Sequence, residues 1–520
     1  MRRLILNLTL ALFAAGKAHA LDAAAVAKLA FGESDERIAA IGILVGSGDP
    51  LAPVLLKALV DGELQAAGER VLIIRGEEAI DAATGAKVSP LPAEREDVIA
   101  NNRLRAAAGS ALASLQLLAA DRTARLEAAR ALSGSLSAAT VPLVRSALAA
   151  ERDGEIRALL AMSLATIDLA SEDRATRLAA IRMLGESSNA AAKPLLIAAA
   201  KDRDPEVSTA AKLSLIEVEG RLKWAELGGL LFTGVSLGSI LLLAALGLAI
   251  TYGLMGVINM AHGELIMIGA YTTYVVQNAF RQFDLFEWYP VAAVPAAFTM
   301  SAIVGMLLER GVIRWLYGRP LETLLATWGI SLILIQGTRT VFGAQNVPVE
   351  NPAWMSGGIA MAANLVLPWN RIAIIAFAAA VLVLIWLLLN RTRMGLFVRG
   401  VTQNREMASC VGVPTARIDT LAFGLGAGIA GLAGCAMSQF GNVGPDLGQG
   451  YIVDSFMVVV FGGVGQLAGT VYAALVLGFA NKFLEASSGA VIAKIVVLVF
   501  IIVFIQRRPQ GLFALKGRAA

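Results

Sequence analysis

Two cysteines and two histidines in 520 residues leave little for redox or metal chemistry. Cys410 and Cys435 cannot build a disulfide framework or a CxxC site, which excludes zinc and thiol-exchange functions. A GxxxxGK[ST] phosphate loop is also missing, so the chain cannot hydrolyse ATP by that route. Charge is scarce: 16% of residues are charged against 57% hydrophobic, with a mean hydropathy of +0.67. Ordinary soluble domains do not have this composition, and most of the chain is expected to face lipid.

The charge that is present is unevenly spread. Residues 1–226 hold 56 of the 84 charged side chains (27 basic, 29 acidic), and residues 227–520 hold 28 (17 basic, 11 acidic). The net charge of +4 therefore arises from basic residues between apolar stretches of the second half, which is a membrane-topology signal and not a nucleic-acid footprint. The organisation expected is a leader over 1–20, an exported helical repeat domain over 21–222 and a membrane domain over 223–520. Met1 to Ala20 opens with two arginines, runs apolar for about a dozen residues and ends in Ala18-His19-Ala20. That is the layout of a cleavable secretory signal, too short for the roughly 20 residues of a spanning helix.

The exported part repeats itself. Arg125 to Leu132 aligns with Arg177 to Leu184 at a shift of 52, Val141-Pro142 with Lys193-Pro194 at the same shift, and Glu155 to Leu164 with Glu206 to Leu215 at 51. An earlier copy runs through Arg37 to Leu44 and Pro53 to Leu56. Helix pairs with an early proline in the second helix resemble HEAT-type repeats, which stack because one unit cannot bury its apolar face alone. Asp204-Pro205-Glu206 has the chemistry of a helix start, and Asp153 and Glu155 repeat it. Ile74 to Val98 lacks helical period and is expected to form a loop or short hairpin. The carboxylates of this half fall on solvated helix faces, so a scaffold or docking surface is expected rather than catalysis.

In the second half, apolar stretches recur at about 228–250, 258–280, 290–308, 321–343, 371–389, 421–440 and 489–506, with shorter ones at 451–464 and 465–483. No dyad alternation runs through them, so the fold class expected is all-α: about nine membrane helices after an α-solenoid. If the repeat domain lies outside, Arg310, Arg314, Arg319, Arg391, Arg393, Arg399, Arg405 and Arg417 fall inside, with Arg507 and Arg508 at the end. Asp284, Glu287, Glu350 and Asp446 fall on the other side. This separation obeys the positive-inside rule and leaves the carboxy terminus in the cytosol.

Polar groups inside an apolar stretch are the first functional candidates, because hydrocarbon does not tolerate them without partners. Tyr252, Asn259, His262, Gly263 and Glu264 make the densest such cluster, and a solute path lined by them is one reading. A surface loop, or a cap that pins a helix break, is the other. Gly426 to Gly431 matches GxGxxG, but no strand precedes it, and Gly424, Gly428 and Gly431 are expected to let membrane helices approach closely. Glu485 and Asp454 are expected at the membrane edges. The short stretch 451–464 ends in Gly462-Gly463-Val464-Gly465 and suits a discontinuous helix.

Three stretches together resemble permease subunits of branched-chain amino-acid-type ABC importers. They are Tyr252-Gly253 through Asn259 and His262-Gly263-Glu264 to Tyr271; Arg391 to Gly400 with Arg405-Glu406 and Gly412-Val413; and Gly462 to Gly469 with Arg508 to Phe513. The likeness covers about 228–515, and the long amino-terminal extension is similar to that of the urea-transporting permeases of this family. It implies a non-enzymatic subunit in the bacterial inner membrane that carries urea or a short amide. It further implies a second related permease, two ABC ATPases that supply the ATP hydrolysis, and an exported solute-binding protein, with no cofactor and no metal on this chain. Residues 391–420 would hold a coupling helix, weakly amphipathic from Glu406 to Val413, with Arg399, Arg405, Glu406, Ala408 and Gly412 facing an ATPase groove. Branched-chain amino acids are the alternative cargo. A membrane-anchored scaffold or receptor whose solenoid binds an exported partner is the alternative from another class. An intramembrane enzyme would have only His262 and Glu264 for acid–base work, with no nucleophile beside them.

Overall fold

Alanine and leucine at helical spacing fold the amino-terminal part into short helices, each too small to bury its own apolar face. The computed structural model describes residues 21–513 except 48, 77, 93, 134–135, 137–139, 188 and 363–364. The expected leader, Met1 to Ala20, lies outside the described residues. The chain divides into two compact units, Met1–Lys223 and Trp224–Ala520.

The first unit opens with helices α1 (Ala23–Phe31), α2 (Ser34–Gly46) and α3 (Ala52–Asp61). It then departs from an all-α fold. Strands β1 (Leu64–Ala67), β2 (Arg70–Arg75), β3 (Glu78–Asp81), β4 (Lys87–Val88) and β5 (Glu96–Asp97) form an antiparallel sheet in the order β4-β3-β2-β1-β5. The expected loop or short hairpin over 74–98 is thus corrected to part of a five-stranded sheet that starts ten residues earlier. The cause is packing: Leu64, Val71 and Ile73 are buried in one core with Leu29, Ile41, Leu55 and Leu104 of the helices. Helices α4 (Asn102–Gln116), α5 (Arg122–Leu132), α6 (Val141–Ala150), α7 (Gly154–Asp168), α8 (Arg174–Glu186) and α9 (Ala192–Ala199) follow, and α10 (Pro205–Met255) crosses into the second unit.

The sequence repeat at 51–52 residues returns as repeated geometry. Arg122 donates to Asp153 (2.7 Å) and Glu155 (3.0 Å), and Arg174 donates to Asp204 (2.7 Å) and Glu206 (2.8 Å). Arg125 reaches the carbonyls of Ala119 and Ala120, and Arg177 those of Ser171 and Glu172. Asp121 caps α5 and Asp173 caps α8 through the N–H three residues on. Two apolar cores result, one with Leu132, Val144, Ile156 and Leu160, the next with Ile181, Leu184, Leu196 and Val207.

In the second unit, α11 (His262–Gln282), α12 (Tyr289–Gly311) and α13 (Pro320–Phe342) precede a hairpin of β6 (Gly358–Ala362) and β7 (Leu365–Pro368), a second departure from all-α. Then come α14 (Trp369–Arg391), the short α15 (Arg393–Gln403) and α16 (Arg405–Cys410), and α17 (Thr415–Ser438), α18 (Gln449–Gly462), α19 (Leu467–Ser488) and α20 (Ala490–Arg507). Among the described residues seven helices are long and apolar enough to cross a membrane: α10, α12, α13, α14, α17, α19 and α20. Helix α11 is left out by its polar residues and α18 by its 14-residue length.

Helices α11, α12 and α17 pack closest, through glycine. A methyl group on Gly428 would lie 2.5 Å from the Phe298 ring, and one on Gly424 would lie 2.6 Å from Met306. One on Gly431 would run into Ser301 and the Ala297 carbonyl, and one on Gly269 into the backbone of Gly431. The loops gather at two ends. At one end Arg281 pairs with Glu350 (2.9 Å), Arg339 with Asp446 (2.8 Å), and Val347 bridges Val443. At the other lie Tyr317, Arg405 and Asp419, so the arginine-rich connections share one end of the bundle.

Two outcomes follow from this packing. Gly431→Val is expected to cost about 1–3 kcal/mol or more of stability, seen as a lower thermal midpoint and loss of the monodisperse peak in detergent, because the backbone of α12 at Ala297 cannot retreat without opening the bundle. In the first unit, Arg122 and the Ile156 N–H hold the Asp153 carboxyl below its ordinary value of 3.8, and the Glu206 N–H and Arg174 do the same for Asp204. The stability these carboxylates add is present above about pH 4 and is lost as pH falls through their lowered folded values. In an acid titration followed by far-UV circular dichroism, the Arg122→Ala/Arg174→Ala variant is expected to lose helix at higher pH than the parent.

Candidate functional site

Helix α10 stops at Met255, where Gly256 takes a φ of +68° that other residues avoid, and the chain stays irregular to Ala261 before α11 begins at His262. The break lies inside the bundle. The Met260 N–H donates to Thr327 Oγ1 (3.1 Å), and Thr327 is seven residues, about 10 Å, along α13 from its arginine-side end. The surface-loop reading of Asn259 to Glu264 therefore does not hold.

The five predicted path residues are placed as follows. Asn259 and His262 are 0% exposed and Glu264 is 2% exposed. Asn259 Oδ1 accepts from the Ala261 N–H (3.0 Å), and His262 Nε2 lies 2.9 Å from the Ala244 carbonyl of α10. Ser331 of α13 lies beside the Glu264 carboxyl. Gly263 crosses Gly448 backbone to backbone at the start of α18. Tyr252 does not join the polar group; its ring packs on Phe456 with centroids 5.8 Å apart.

Asn259 Nδ2, His262 Nδ1, Glu264 Oε2 and Tyr271 Oη are buried and have no hydrogen-bond partner among the described residues. A buried orphan of this kind costs about 1–3 kcal/mol, so four within one helix and its lead-in are costly unless something else meets them. Glu264 and Tyr271 are seven residues apart on one face of α11, and both meet α13: Glu264 at Ser331, Tyr271 against Phe342 at 4.6 Å between centroids. Thr323, Thr327 and Ser331 are buried at successive four-residue steps of α13. The sequence reading missed this hydroxyl stripe, although its spacing was visible.

A second break lies beside the first. Helix α18 ends at Gly462, and Gly463 and Gly465 both have positive φ before α19 starts at Leu467. A methyl group on Gly253 would meet Gly465 at 2.6 Å, so the two interruptions touch. Asp454 is not at an edge as expected: it is 8% exposed and lies 3.5 Å from Lys494, because α18 is enclosed by its neighbours. Glu485, half-buried, accepts from Lys482 (2.6 Å).

The predicted coupling residues lie apart from this cluster. The helix expected from Glu406 to Val413 is shorter, Arg405–Cys410, capped by the Asn404 side chain and ended before Gly412, whose φ is +87°. Arg399 turns back on its own helix at the Gly395 carbonyl, Glu406 is exposed and Ala408 is buried. Arg405 bonds Asp419 on α17 and lies over the Tyr317 ring at 4.8 Å. Behind it Glu309, 2% exposed and absent from the sequence candidates, accepts from Thr420 (2.6 Å) and Tyr317 (3.1 Å). Sequence offered one clue: Glu309 is a carboxylate inside an apolar run.

Interrupted helices that carry buried polar side chains within an apolar bundle recur in multi-pass membrane transport proteins. The chain belongs to the family described as branched-chain amino acid transport system / permease component, whose model matches residues 230–505. It is 29% identical over 290 residues to the high-affinity branched-chain amino acid transport system permease protein LivH of Salmonella typhimurium, across 54% of this chain and 94% of that protein. It is 27% identical over 288 residues to BraD of Pseudomonas aeruginosa, a protein of the same description, across 54% and 94%. The autoinducer 2 import system permease protein LsrD of Yersinia enterocolitica is 29% identical over 229 residues, across 39% and 66%. A model of HEAT repeats matches residues 166–223. No solved structure matches the chain. It is a multi-pass membrane transport subunit.

Thr327→Val keeps the side-chain shape and strands the Met260 N–H. The expected cost is about 1–3 kcal/mol, read as a lowered thermal midpoint of the purified protein, with Thr327→Ser close to the parent.

Proposed function

We propose that this chain is one permease subunit of an ABC importer in the inner membrane, with branched-chain amino acids as its cargo. The observation that carries the reading is the buried, unsatisfied group of Asn259, His262 and Glu264 at the helix break. Orphaned donors and acceptors beside the first turn of a helix suit transient contacts with a zwitterionic or amide-bearing solute that sheds its water. The named cargo of the LivH and BraD relatives supports the amino acid over urea. Energy comes from two separate ATPases, a second permease completes the path, and an exported binding protein delivers solute.

In this reading the arginine-rich end faces the cytosol and the first unit is exported behind a cleaved leader. Helices α15 and α16 then meet the ATPase. Leu396, Met407 and Val411 are exposed apolar residues there, and Arg405–Asp419 ties α16 to α17. Force applied to α16 reaches the membrane helices through that ion pair.

Urea or a short amide is the second reading, favoured by residues 21–222, which lie outside the family match at 230–505. The LsrD relative is also named for a cargo other than an amino acid. Glu264 and Asn259 would accept from the amide donors of urea.

Uptake of labelled leucine and labelled urea, in cells with and without this chain, decides between them. Leucine uptake that depends on the chain supports the main reading; urea uptake that depends on it, with leucine unaffected, replaces it. Glu264→Gln is expected to lower the initial rate by about tenfold or more at unchanged membrane level, since a charged hydrogen bond contributes about 1.5–3 kcal/mol. A scaffold would tolerate that change. Asp419→Asn is expected to raise the ATP hydrolysed per solute moved in proteoliposomes, with solute binding to the importer unchanged.

A further inference from the structure

Where α12 and α17 reach the arginine-rich end, the glycine contacts that hold them together give way to a groove. Its volume is about 380 Å³, and its walls are Ile303, Met306, Leu307 and Leu421, with Arg310 and Arg417. Residues 303, 306, 307 and 310 follow the i, i+3, i+4, i+7 pattern of one helix face, and 417 and 421 are one turn apart on α17. The charged residues sit at the helix ends, Arg310 one residue from the end of α12 and Arg417 third in α17. The apolar ones lie one to two turns deeper, about 5–10 Å into the bundle.

Both guanidinium groups are exposed and neither forms an ion pair with a described residue. The carboxylates next to them in sequence are committed elsewhere. Glu309 takes the hydroxyls of Thr420 and Tyr317, and Asp419 takes Arg405. Two uncompensated cations thus stand at headgroup depth above an apolar trough that runs toward the membrane centre.

We propose that this groove is a binding site for an anionic phospholipid of the cytoplasmic leaflet. The phosphate pairs with Arg310 and Arg417, and an acyl chain lies along Ile303, Leu307 and Leu421. The charge order matches the lipid from head to tail: arginine forks suit a phosphate bidentately, and methylene chains suit the trough. A free phosphate would use the arginines and leave the trough exposed; a protein helix would fill the trough and leave two buried cations. The inference rests on the cytosolic placement of this end. A lipid held here spans α12 and α17 beside Glu309–Thr420 and so braces the joint that carries Arg405.

The test uses the full chain, purified with its partner subunits and reconstituted in nanodiscs of phosphatidylcholine with one-fifth phosphatidylglycerol. After delipidation, retained phosphatidylglycerol is measured for the parent, for Arg310→Gln/Arg417→Gln, and for Arg507→Gln/Arg508→Gln, which removes the same charge outside the groove. The expected result is preferential retention by the parent and the Arg507/Arg508 variant, with the preference falling about fivefold for each groove arginine removed. Equal loss in both variants would reduce the effect to net charge and overturn the proposal. Displacement by millimolar inorganic phosphate would assign the site to free phosphate and overturn it too. Leu421→Cys crosslinking to a partner subunit in native membranes, with no lipid retained, would make the groove a protein interface. Uptake that responds to sidedness labelling with this end outside would sink the placement instead, independently of lipid retention.

Discussion

Contact between helix backbones, without intervening side chains, is the constraint on which the second unit depends. Lipid offers helices no hydrophobic gain on association, so close van der Waals packing must hold them, and that requires residues without bulk on the facing surfaces. Helix α17 supplies them at Gly431 and Gly434, α11 answers with Gly269, and Gly424 and Gly428 make room for the Met306 and Phe298 side chains of α12. The crossing of Gly263 over Gly448 and of Gly253 over Gly465 extends the same device to both helix breaks. Substituting bulk at Gly253, Gly263, Gly448 or Gly465 moves the breaks as well as the helices.

Close packing also explains why the polar cluster is isolated. Asn259, His262 and Glu264 are buried among helices in close contact and meet what those neighbouring helices present. Helix α13 presents Thr327 and Ser331, and α10 presents one carbonyl. The atoms left over have no hydrogen-bond partner among the described residues. At the arginine-rich end the reverse holds: Glu309, Asp419, Arg405 and Tyr317 satisfy one another, which gives the short helix α16 a firm attachment to the bundle.

Much of this was legible beforehand and some was not. The runs that became α10, α12 and α14 are plain in composition, and the repeat at 51–52 residues anticipated the paired Arg122 and Arg174 bridges. The strands β1–β5 were missed because Val71 to Ile73 is a short apolar run that fits a strand or a buried helix equally well until its core is known. Asp454 was set at an edge because its position in the apolar run said nothing of its neighbours; the enclosure of α18 and the approach of Lys494 did.

Sequence alone determined which segments are apolar enough to enter lipid, where arginine separates from acid, and which stretch combines asparagine, histidine and glutamate. These are properties of consecutive residues, set by transfer free energy and local period. Tertiary structure alone decided that the α10–α11 break is buried, that Ser331 and Thr327 serve it from 67 or so residues away, and that Glu309 backs the Arg405 attachment. Those facts depend on which helix faces meet across the bundle, a register that glycine-to-backbone contacts fix in space and that no local pattern carries.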